Sequence, residues 1–265
     1  VGPGRVLGDL IDSGIVPRIH LDAIFRQADG SGIATNARRI NEGLLPDWKA
    51  YDDFYFFAAE TPERCAKLTV ELVVERIPRR FGYDPRRDIQ VLSPTHKGVA
   101  GVAALNAALQ AALNPSRPGV AEYHRGDTVF RVGDRVIQQR NDYERDVYNG
   151  DTGEVIAIHP QEQIIVVRFE DGRIIRYSGI DLDDLALAYA LSVHKSQGSE
   201  YPVVVVPFLL QHRPLLRRNL LYTAVTRARQ LVVIVGEQRA VAAAIAAAEV
   251  ERRYTGLSVR LRMGP

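Results

Sequence analysis

The sequence contains one cysteine, Cys65, and one methionine, Met263, among its 265 residues. A single cysteine excludes an intrachain disulfide framework and a multi-cysteine zinc site, and it indicates a reducing, cytoplasmic compartment. No apolar run approaches the roughly 18 residues that a membrane helix needs, and no signal peptide is recognisable. The chain begins at Val1 without an initiator methionine. This start fits either N-terminal trimming or a C-terminal piece of a longer protein.

No glycine-rich loop ends in Gly-Lys-Ser or Gly-Lys-Thr, so the chain has no phosphate-binding loop of that type. No histidine, cysteine or acidic residues have the spacing of metal ligands, and we expect no metal site. The 34 basic and 32 acidic side chains almost balance. This balance neither requires nor excludes nucleic acid, so any basic surface must be local. Apolar residues make up 46% of the chain, and its length suits about two domains.

Three short apolar runs predict strands buried on both faces of a parallel sheet: Leu187–Leu191, Val203–Val206 and Leu231–Val235. The segment Arg217–Arg229 lacks glycine and proline and is predicted to be a helix. Strand, turn, strand, helix and strand form an α/β arrangement. The other helices are predicted at Arg5–Ser13, Ile33–Gly43, Thr61–Ile77, Ala100–Leu113 and Ala240–Arg253, with further strands at Phe54–Phe57 and Asp88–Leu92.

Between Tyr123 and about Asp184 the pattern changes to short strands separated by turn residues. Asp171 and Gly172 lie between two β-rich runs, which is typical of a hairpin. The sequence therefore predicts a small antiparallel barrel inserted into the α/β domain. Its predicted strands are Arg135–Gln139, Gly153–Ile158, Gln163–Phe169 and Arg173–Ser178.

Two lysine-bearing polar segments, Ser93–Gly98 and Ser192–Glu200, each follow a predicted buried strand. We expect both at the carboxyl edge of the sheet, where they would suit a phosphodiester backbone. Ser192 is predicted to cap a short helix over Val193–Gln197. Arg227 carries a planar guanidinium of the kind that holds a γ-phosphate. From local chemistry alone, two unrelated ordinary loops fit the polar segments about as well, and a solvated helix face with ion pairs is the favoured interpretation of Arg227.

Six motifs follow one another along the chain: Val1–Gly4, Phe25–Gln27, Val91–Gly98, Asn149–Asp151, His194–Gly198 and Tyr222–Ala228. In this order they resemble the C-terminal half of a RecD-like superfamily 1 DNA helicase of the short, free-standing type. The resemblance implies an α/β fold: a RecA-like parallel-sheet motor domain with an inserted, small all-β, SH3-like barrel. It assigns residues 1–17 to a remnant of the first motor domain, 18–125 and 185–265 to the second, and 126–184 to the barrel.

The resemblance also implies roles for individual side chains. Arg26 and Arg227 would reach the ATP γ-phosphate across the cleft between the two motor domains. Gln27, Gly198 and Glu200 would line the nucleotide pocket. The residues implied to contact single-stranded DNA are Ser93, Pro94, Thr95, His96, Lys97, Asn149, Ser192, His194 and Lys195.

The implied function is an ATP-dependent DNA helicase that moves 5′ to 3′ and serves DNA repair. Magnesium and ATP would be bound mainly by the first motor domain, so we do not expect this chain to hydrolyse ATP alone. We expect a monomer whose partners are single-stranded DNA and that domain. The alternative is a non-enzymatic nucleic-acid or protein binding module built on the barrel. A metabolic nucleotide enzyme ranks last, because no glycine-rich first βα turn is present.

Overall fold

Two five-stranded sheets organise the residues that the computed structural model describes, which are 6–19, 30–247 and 256–263. The helices are α1 (Val6–Ser13), α2 (Gly32–Asn41), α3 (Pro62–Glu71), α4 (Ile77–Phe81), α5 (Val102–Leu113), α6 (Arg218–Val225), α7 (Gln238–Ala246) and α8 (Leu257–Met263). The strands are β1 (Phe54–Ala58), β2 (Ile89–Ser93), β3 (Glu122–Arg125), β4 (Thr128–Arg131), β5 (Arg135–Gln138), β6 (Thr152–His159), β7 (Ile164–Phe169), β8 (Ile174–Ser178), β9 (Leu185–Leu187), β10 (Ala190–Ser192), β11 (Tyr201–Phe208) and β12 (Ala228–Gly236).

The first sheet is parallel throughout, in the order β1-β12-β11-β2-β10. Successive valines of β11 point to opposite faces. Val203 and Val205 join a core with α3 and α5, whereas Val204 and Val206 join a core with α2, α6 and α7. All four valines are fully buried. Because both faces are covered, the strand reads as a continuous apolar run, and the predicted parallel sheet is confirmed.

The predicted helix at Thr61–Ile77 extends to Phe81 through a π-helical turn at Leu72–Arg76. Thr61 caps its start, because its hydroxyl accepts a hydrogen bond from the Arg64 amide at 3.2 Å. The wider turn ends two residues before Pro78, whose ring would clash with the carbonyl four residues earlier in a regular α-helix. In the described part of the chain, no helix is both long and apolar enough to cross a bilayer.

The second sheet is antiparallel, in the order β8-β7-β6-β5-β9. It contains the four strands predicted for the insertion. Gly172 has a φ of +91° and closes the hairpin between β7 and β8. Glycine suits this position because left-handed backbone costs it nothing, so the predicted turn is confirmed. A separate two-stranded hairpin, β3 and β4, precedes this sheet.

The single strand predicted over Leu187–Leu191 is wrong, because the structure divides this run between the two sheets. β9 pairs antiparallel with β5, and β10 pairs parallel with β2. The buried residues Ala188 and Tyr189 form the crossing, and the Gln90 side-chain amide donates to both of their carbonyl oxygens at 3.2 Å. The antiparallel sheet therefore extends three residues beyond the expected boundary at residue 185.

Asp134 joins the insertion to the parallel sheet. Its carboxylate is fully buried and accepts hydrogen bonds from Gln110 (2.6 Å) and Asn114 (2.7 Å) on α5. It also accepts from the Tyr189 hydroxyl at 2.9 Å and from the Arg131 amide at 2.7 Å. Burial raises the pKa of Asp134, and the hydrogen bonds from these donors offset part of that effect. One carboxylate therefore connects α5, the β3–β4 hairpin and the crossing between the sheets.

We expect Asp134→Ala to lower the free energy of unfolding by about 3–5 kcal/mol, because it leaves several buried donors without an acceptor. Urea denaturation of the purified chain measures this loss. Asp183→Ala is a suitable control, since it removes an exposed carboxylate that pairs with Arg125 at 2.8 Å. That change should cost about 1 kcal/mol or less. Equal losses in the two variants would contradict the joining role.

We expect His212 to make stability depend on pH between about 6.5 and 4. His212 is 1% exposed, and burial lowers its pKa from 6.5 to about 4, although Glu237 opposes that shift. The neutral ring therefore stabilises the fold fully above pH 6.5, and this contribution is lost as the pH falls towards 4. The lowered pKa corresponds to a loss of about 3 kcal/mol in the free energy of unfolding once the ring is protonated. Asparagine can accept from the Leu209 amide as Nδ1 does, so His212→Asn should flatten this part of the stability–pH curve. An unchanged slope would be contrary to this assignment.

Candidate functional site

The two lysine-bearing turns lie side by side at the carboxyl edge of the parallel sheet. Ser93 ends β2, Ser192 ends β10, and the two residues are direct partners in the strand register. The Val193 amide extends this contact by donating to the Ser93 carbonyl at 3.2 Å. The expected proximity of the two turns is therefore confirmed, and it follows from the parallel pairing of their strands.

Ser93 and Pro94 shape the first turn from inside the protein. Ser93 is fully buried, and its hydroxyl donates to the Ala100 carbonyl at 2.9 Å and to the Thr95 carbonyl at 3.2 Å. Pro94 is also buried. Neither side chain faces solvent, so only backbone atoms of these two residues could contact a ligand.

The same turn presents His96 and Lys97 to solvent, where both are exposed. Its backbone also caps α5, because the Val102 amide donates to the Thr95 carbonyl at 2.9 Å. A Cβ atom on Gly101 would lie 2.4 Å from the Lys97 carbonyl oxygen. Glycine is therefore needed for the close approach that holds the two exposed basic side chains in place.

The second turn does not contain the short helix predicted over Val193–Gln197. Ser192 is 4% exposed, and its hydroxyl accepts from the Lys195 amide at 3.3 Å, as a helix cap would. The Ser196 amide donates to the Ser192 carbonyl at 3.3 Å, but the chain then forms successive turns. The cap thus forms without a helix, and His194 is left exposed.

Lys195 connects the second turn to the antiparallel sheet. Its ammonium group donates to the Gln139 side chain, and desolvation lowers the pKa of Lys195. The neighbouring Gln138 accepts a hydrogen bond at 3.0 Å from the amide of Gly150, which follows the exposed Asn149. The structure therefore brings three predicted DNA-contacting segments together, and one of them belongs to the insertion.

Arg227 lies at the opposite, amino-terminal edge of the parallel sheet. The helix predicted to continue to Arg229 ends at Val225, and β12 begins at Ala228. The Arg227 guanidinium is half-buried and donates to the Thr223 carbonyl at 3.2 Å and to the Ser199 carbonyl at 3.1 Å. These backbone acceptors restrict the orientation of the side chain beside the start of β11.

Gly198 and Glu200 lie near Arg227, so the expectation that the whole Ser192–Glu200 segment lies at the carboxyl edge is wrong. The segment begins at the end of β10 and ends at the start of β11, two strands that run in the same direction. It therefore crosses from one edge of the sheet to the other. Gly198 takes a φ of +92°, and the Glu200 carboxylate pairs with Arg229 at 2.9 Å.

The predicted nucleotide contacts Arg26 and Gln27 lie outside the described residues, as does the Val1–Gly4 motif. Arg227, Gly198 and Glu200 are the predicted nucleotide contacts that the structure places. Within the described ranges, no three histidine, cysteine or acidic side chains are grouped as metal ligands.

A cleft of about 930 Å³ separates the antiparallel sheet from the amino-terminal edge near Arg227. Ser199 and Glu200 line one side, and Arg135 projects from the antiparallel sheet. Burial lowers the pKa of Arg135, which donates to the Ile89 carbonyl at 3.3 Å. Apart from Glu200, no residue that lines this cleft is among the predicted site residues. Its lining comes from segments far apart in the chain, so no local motif marks it.

Two family models match the chain. The ATP-dependent RecD-like DNA helicase SH3 domain matches residues 105–169, which span α5 and the strands β3–β7. The UvrD-like helicase C-terminal domain matches residues 187–235, which include Arg227 and the Ser192–Glu200 segment.

Curated relatives match most or about half of this chain, but the match covers only a small part of their own length. The ATP-dependent RecD2 DNA helicase of Deinococcus radiodurans is 36% identical over 246 residues, covering 93% of this chain and 32% of that protein. The RecBCD enzyme subunit RecD of Mycobacterium tuberculosis is 41% identical over 135 residues, covering 51% of this chain and 23% of that protein. The chain therefore spans a third or less of the length of these relatives.

Solved structures share the fold at low sequence identity. The Pif1 helicase from Bacteroides in complex with ADP-AlF3 and single-stranded DNA gives a TM-score of 0.53 at 21% identity, covering 88% of this chain and 54% of that one. The Pif1 helicase from Candida albicans gives 0.51 at 16% identity, covering 89% and 59%.

Proposed function

We propose that this chain is the C-terminal motor portion of an ATP-dependent DNA helicase. The chain belongs to the RecD-like helicases and corresponds to the C-terminal part of those proteins. Residues 18–125 and 185–265 form the second motor domain in this proposal. Residues 126–184 form the SH3-like insertion, and residues 1–17 belong to the first motor domain.

The observation that carries the proposal is the placement of Arg227. Arg227 follows the end of α6, and its guanidinium donates hydrogen bonds to the backbone carbonyls of Thr223 and Ser199. The guanidinium therefore lies close to Glu200, the next residue after Ser199. In our proposal Arg227 acts with Arg26 on the γ-phosphate of an ATP bound mainly by the first motor domain. A preorganised guanidinium stabilises the charge that develops during phosphoryl transfer. Since the chain lacks a phosphate-binding loop, it does not hydrolyse ATP alone in this proposal.

Single-stranded DNA binds at the carboxyl edge in this proposal. His96, Lys97 and His194 are exposed there, and Lys195 lies beside the loop that carries Asn149. Basic side chains that follow a phosphate backbone are the usual basis of sequence-independent binding. The buried residues Ser93, Pro94 and Ser192 act by shaping the turns and through backbone atoms.

The two proposed ligands thus occupy opposite edges of one parallel sheet. Binding of ATP closes the cleft between the two motor domains, which the amino-terminal edge of this sheet faces. The DNA-binding edge then moves with the sheet as a unit. Repeated closing and opening would shift this grip along the strand. The proposed 5′ to 3′ direction comes from the family resemblance, since local chemistry does not determine polarity.

The alternative, a non-enzymatic module built on the barrel alone, has less support. The antiparallel sheet shares one continuous core with α3 and α5 of the motor sheet, including the buried residues Val136, Val167 and Leu105. Asp134 adds a buried polar connection between the same parts. A barrel joined in this way is better suited to act with the motor domain than independently of it.

We expect Arg227→Ala to reduce DNA-stimulated ATP hydrolysis roughly 10³-fold or more, the usual effect of losing an arginine finger. The measurement uses a protein in which an intact first motor domain of a RecD-like helicase precedes this chain. Arg227→Lys keeps the charge but loses the planar fork, so it should also be impaired.

Arg239→Ala is the matched control for the Arg227 variants. Arg239 is 81% exposed on α7 and makes a surface ion pair with Glu237 at 3.6 Å, so hydrolysis should stay near the parent rate. Full hydrolysis by Arg227→Ala would remove the main support for the nucleotide role.

We expect Lys97→Ala to weaken binding of single-stranded DNA and to lessen its salt dependence. Each lost phosphate contact should lower the slope of log K against log salt by roughly 0.7. A fluorescent oligothymidylate titrated with the 265-residue chain at several salt concentrations gives this slope. Lys67→Ala removes the same charge from the exposed side of α3 and should leave the slope unchanged. Identical effects of the two variants would mean that the carboxyl edge is not the binding surface.

A further inference from the structure

The antiparallel insertion carries a pair of exposed tyrosines that no assigned function uses. We propose that Tyr143 and Tyr148 form a stacking platform for a base of the single-stranded DNA that binds at the carboxyl edge of the parallel sheet. This inference rests on the proposed function, because it needs a strand already held by the neighbouring turns.

The loop that presents the two rings is tightly built. Asp142 and Val147 exchange two backbone hydrogen bonds, at 2.7 and 2.9 Å, and Val147 is fully buried. The Asp142 carboxylate also accepts from the Glu144 and Arg145 amides at 3.1 Å. Arg145 in turn pairs with Asp181 on the 3₁₀ turn after β8. These hydrogen bonds and this ion pair restrain the loop, although its tip faces solvent.

Both tyrosine hydroxyls are anchored, which orients the rings. The Tyr143 hydroxyl accepts from the Asn141 side chain at 3.0 Å, and the Tyr148 hydroxyl donates to Asp146 at 2.5 Å. Asp146 adopts a φ of +57°, a strained conformation for a non-glycine residue. This bond links the strained position directly to one of the two rings.

The rings themselves are available for contact. Tyr143 is 76% exposed and Tyr148 is 41% exposed. Their centroids lie 6.1 Å apart with an interplanar angle of 74°, which is an edge-to-face pair. Tyr143 is the more exposed of the two, so most of its ring surface is open to solvent, and a nucleic-acid base stacks on an open ring face whatever its identity.

The platform is continuous with the proposed DNA edge. The Asn149 amide donates to the Asn141 side chain at 2.9 Å, so the Tyr148–Asn149 turn is tied to the segment that precedes Tyr143. Two residues before Asn141, Gln139 accepts the hydrogen bond of Lys195. A strand whose phosphates lie along the basic turns therefore passes beside the two rings.

The charge around the rings suits a base better than a phosphate. The loop from Asp142 to Asp146 carries three carboxylates and one arginine, Arg145, which pairs with Asp142 and Asp181. The net negative charge of this loop would repel a phosphate. The platform is also small, since two tyrosine side chains expose at most a few hundred Å². A stable protein partner usually buries about 800 Å² on each side. These features favour a single base over a docked protein.

The test compares oligothymidylate with an oligomer of the same length whose central nucleotides are abasic. Both are titrated with the whole 265-residue chain. Tyr143→Ala should weaken binding of oligothymidylate about 5- to 100-fold, the usual effect of removing a stacking side chain. It should leave the weaker binding of the abasic oligomer unchanged, because no base is present to stack.

Two further variants separate stacking from other effects. Tyr143→Phe keeps the ring but loses the hydrogen bond from Asn141, so it should keep most of the parent's affinity, whereas Tyr143→Leu keeps apolar bulk without the ring and should resemble alanine. Thermal unfolding checks that each exposed substitution leaves the fold intact. A 2-aminopurine base in the strand should lose fluorescence on binding to the parent chain and less on binding to Tyr143→Ala.

The outcomes distinguish this inference from the DNA-binding proposal. If Lys97→Ala weakens binding but Tyr143→Ala acts equally on both oligomers or on neither, the base platform is wrong and the DNA edge survives. Normal DNA binding by Tyr143→Ala would contradict the stacking role and would favour contact of the rings with a protein partner instead. If the chain binds neither oligomer at low salt, the DNA edge and the platform both fail.

Discussion

The fully buried carboxylate of Asp134 is the constraint on which the arrangement of the molecule depends. It receives hydrogen bonds from α5, from the β3–β4 hairpin and from the crossing between the two sheets. Three of those donors belong to buried side chains, Gln110, Asn114 and Tyr189, so separating the parts would expose or orphan several polar groups at once. The insertion is consequently held against the parallel sheet, and the loop that carries Asn149 keeps its position beside Lys195.

This attachment gives the Ser192–Glu200 segment its importance. The segment begins at the carboxyl edge beside Ser93 and ends at the amino-terminal edge beside Arg227. Eight residues after Ser192 therefore connect the two surfaces that we assign to DNA and to nucleotide. The strands between them are fully buried on both faces, and a close-packed sheet transmits displacement because it compresses little. One covalently continuous segment of eight residues therefore joins the two proposed sites.

The local pattern of the sequence was sufficient for the fold class, for most helices and for the four strands of the insertion. Continuous apolar runs such as Val203–Val206 predict parallel strands because both of their faces are buried. The same logic failed at Leu187–Leu191, since periodicity does not say which sheet a residue joins. The crossing of Ser192–Glu200, by contrast, follows from the parallel direction of the strands before and after it, so the predicted parallel sheet already implied it. The contact between Tyr143 and Tyr148 depends on the conformation of the short loop that joins them, and residue type gives no signal for that conformation.

The polar motifs carried two different kinds of information. Ser93 and Ser192 are buried, and their hydroxyls hold turns together, whereas His96 and His194 in the same motifs are exposed. A motif of this type therefore contains residues that fix the conformation of the loop as well as residues that could contact a ligand. Residue type cannot separate the two, because a serine hydroxyl can bond a backbone amide as readily as a phosphate. Burial does separate them, and at this edge it leaves the basic side chains as the groups that could contact the proposed single-stranded DNA.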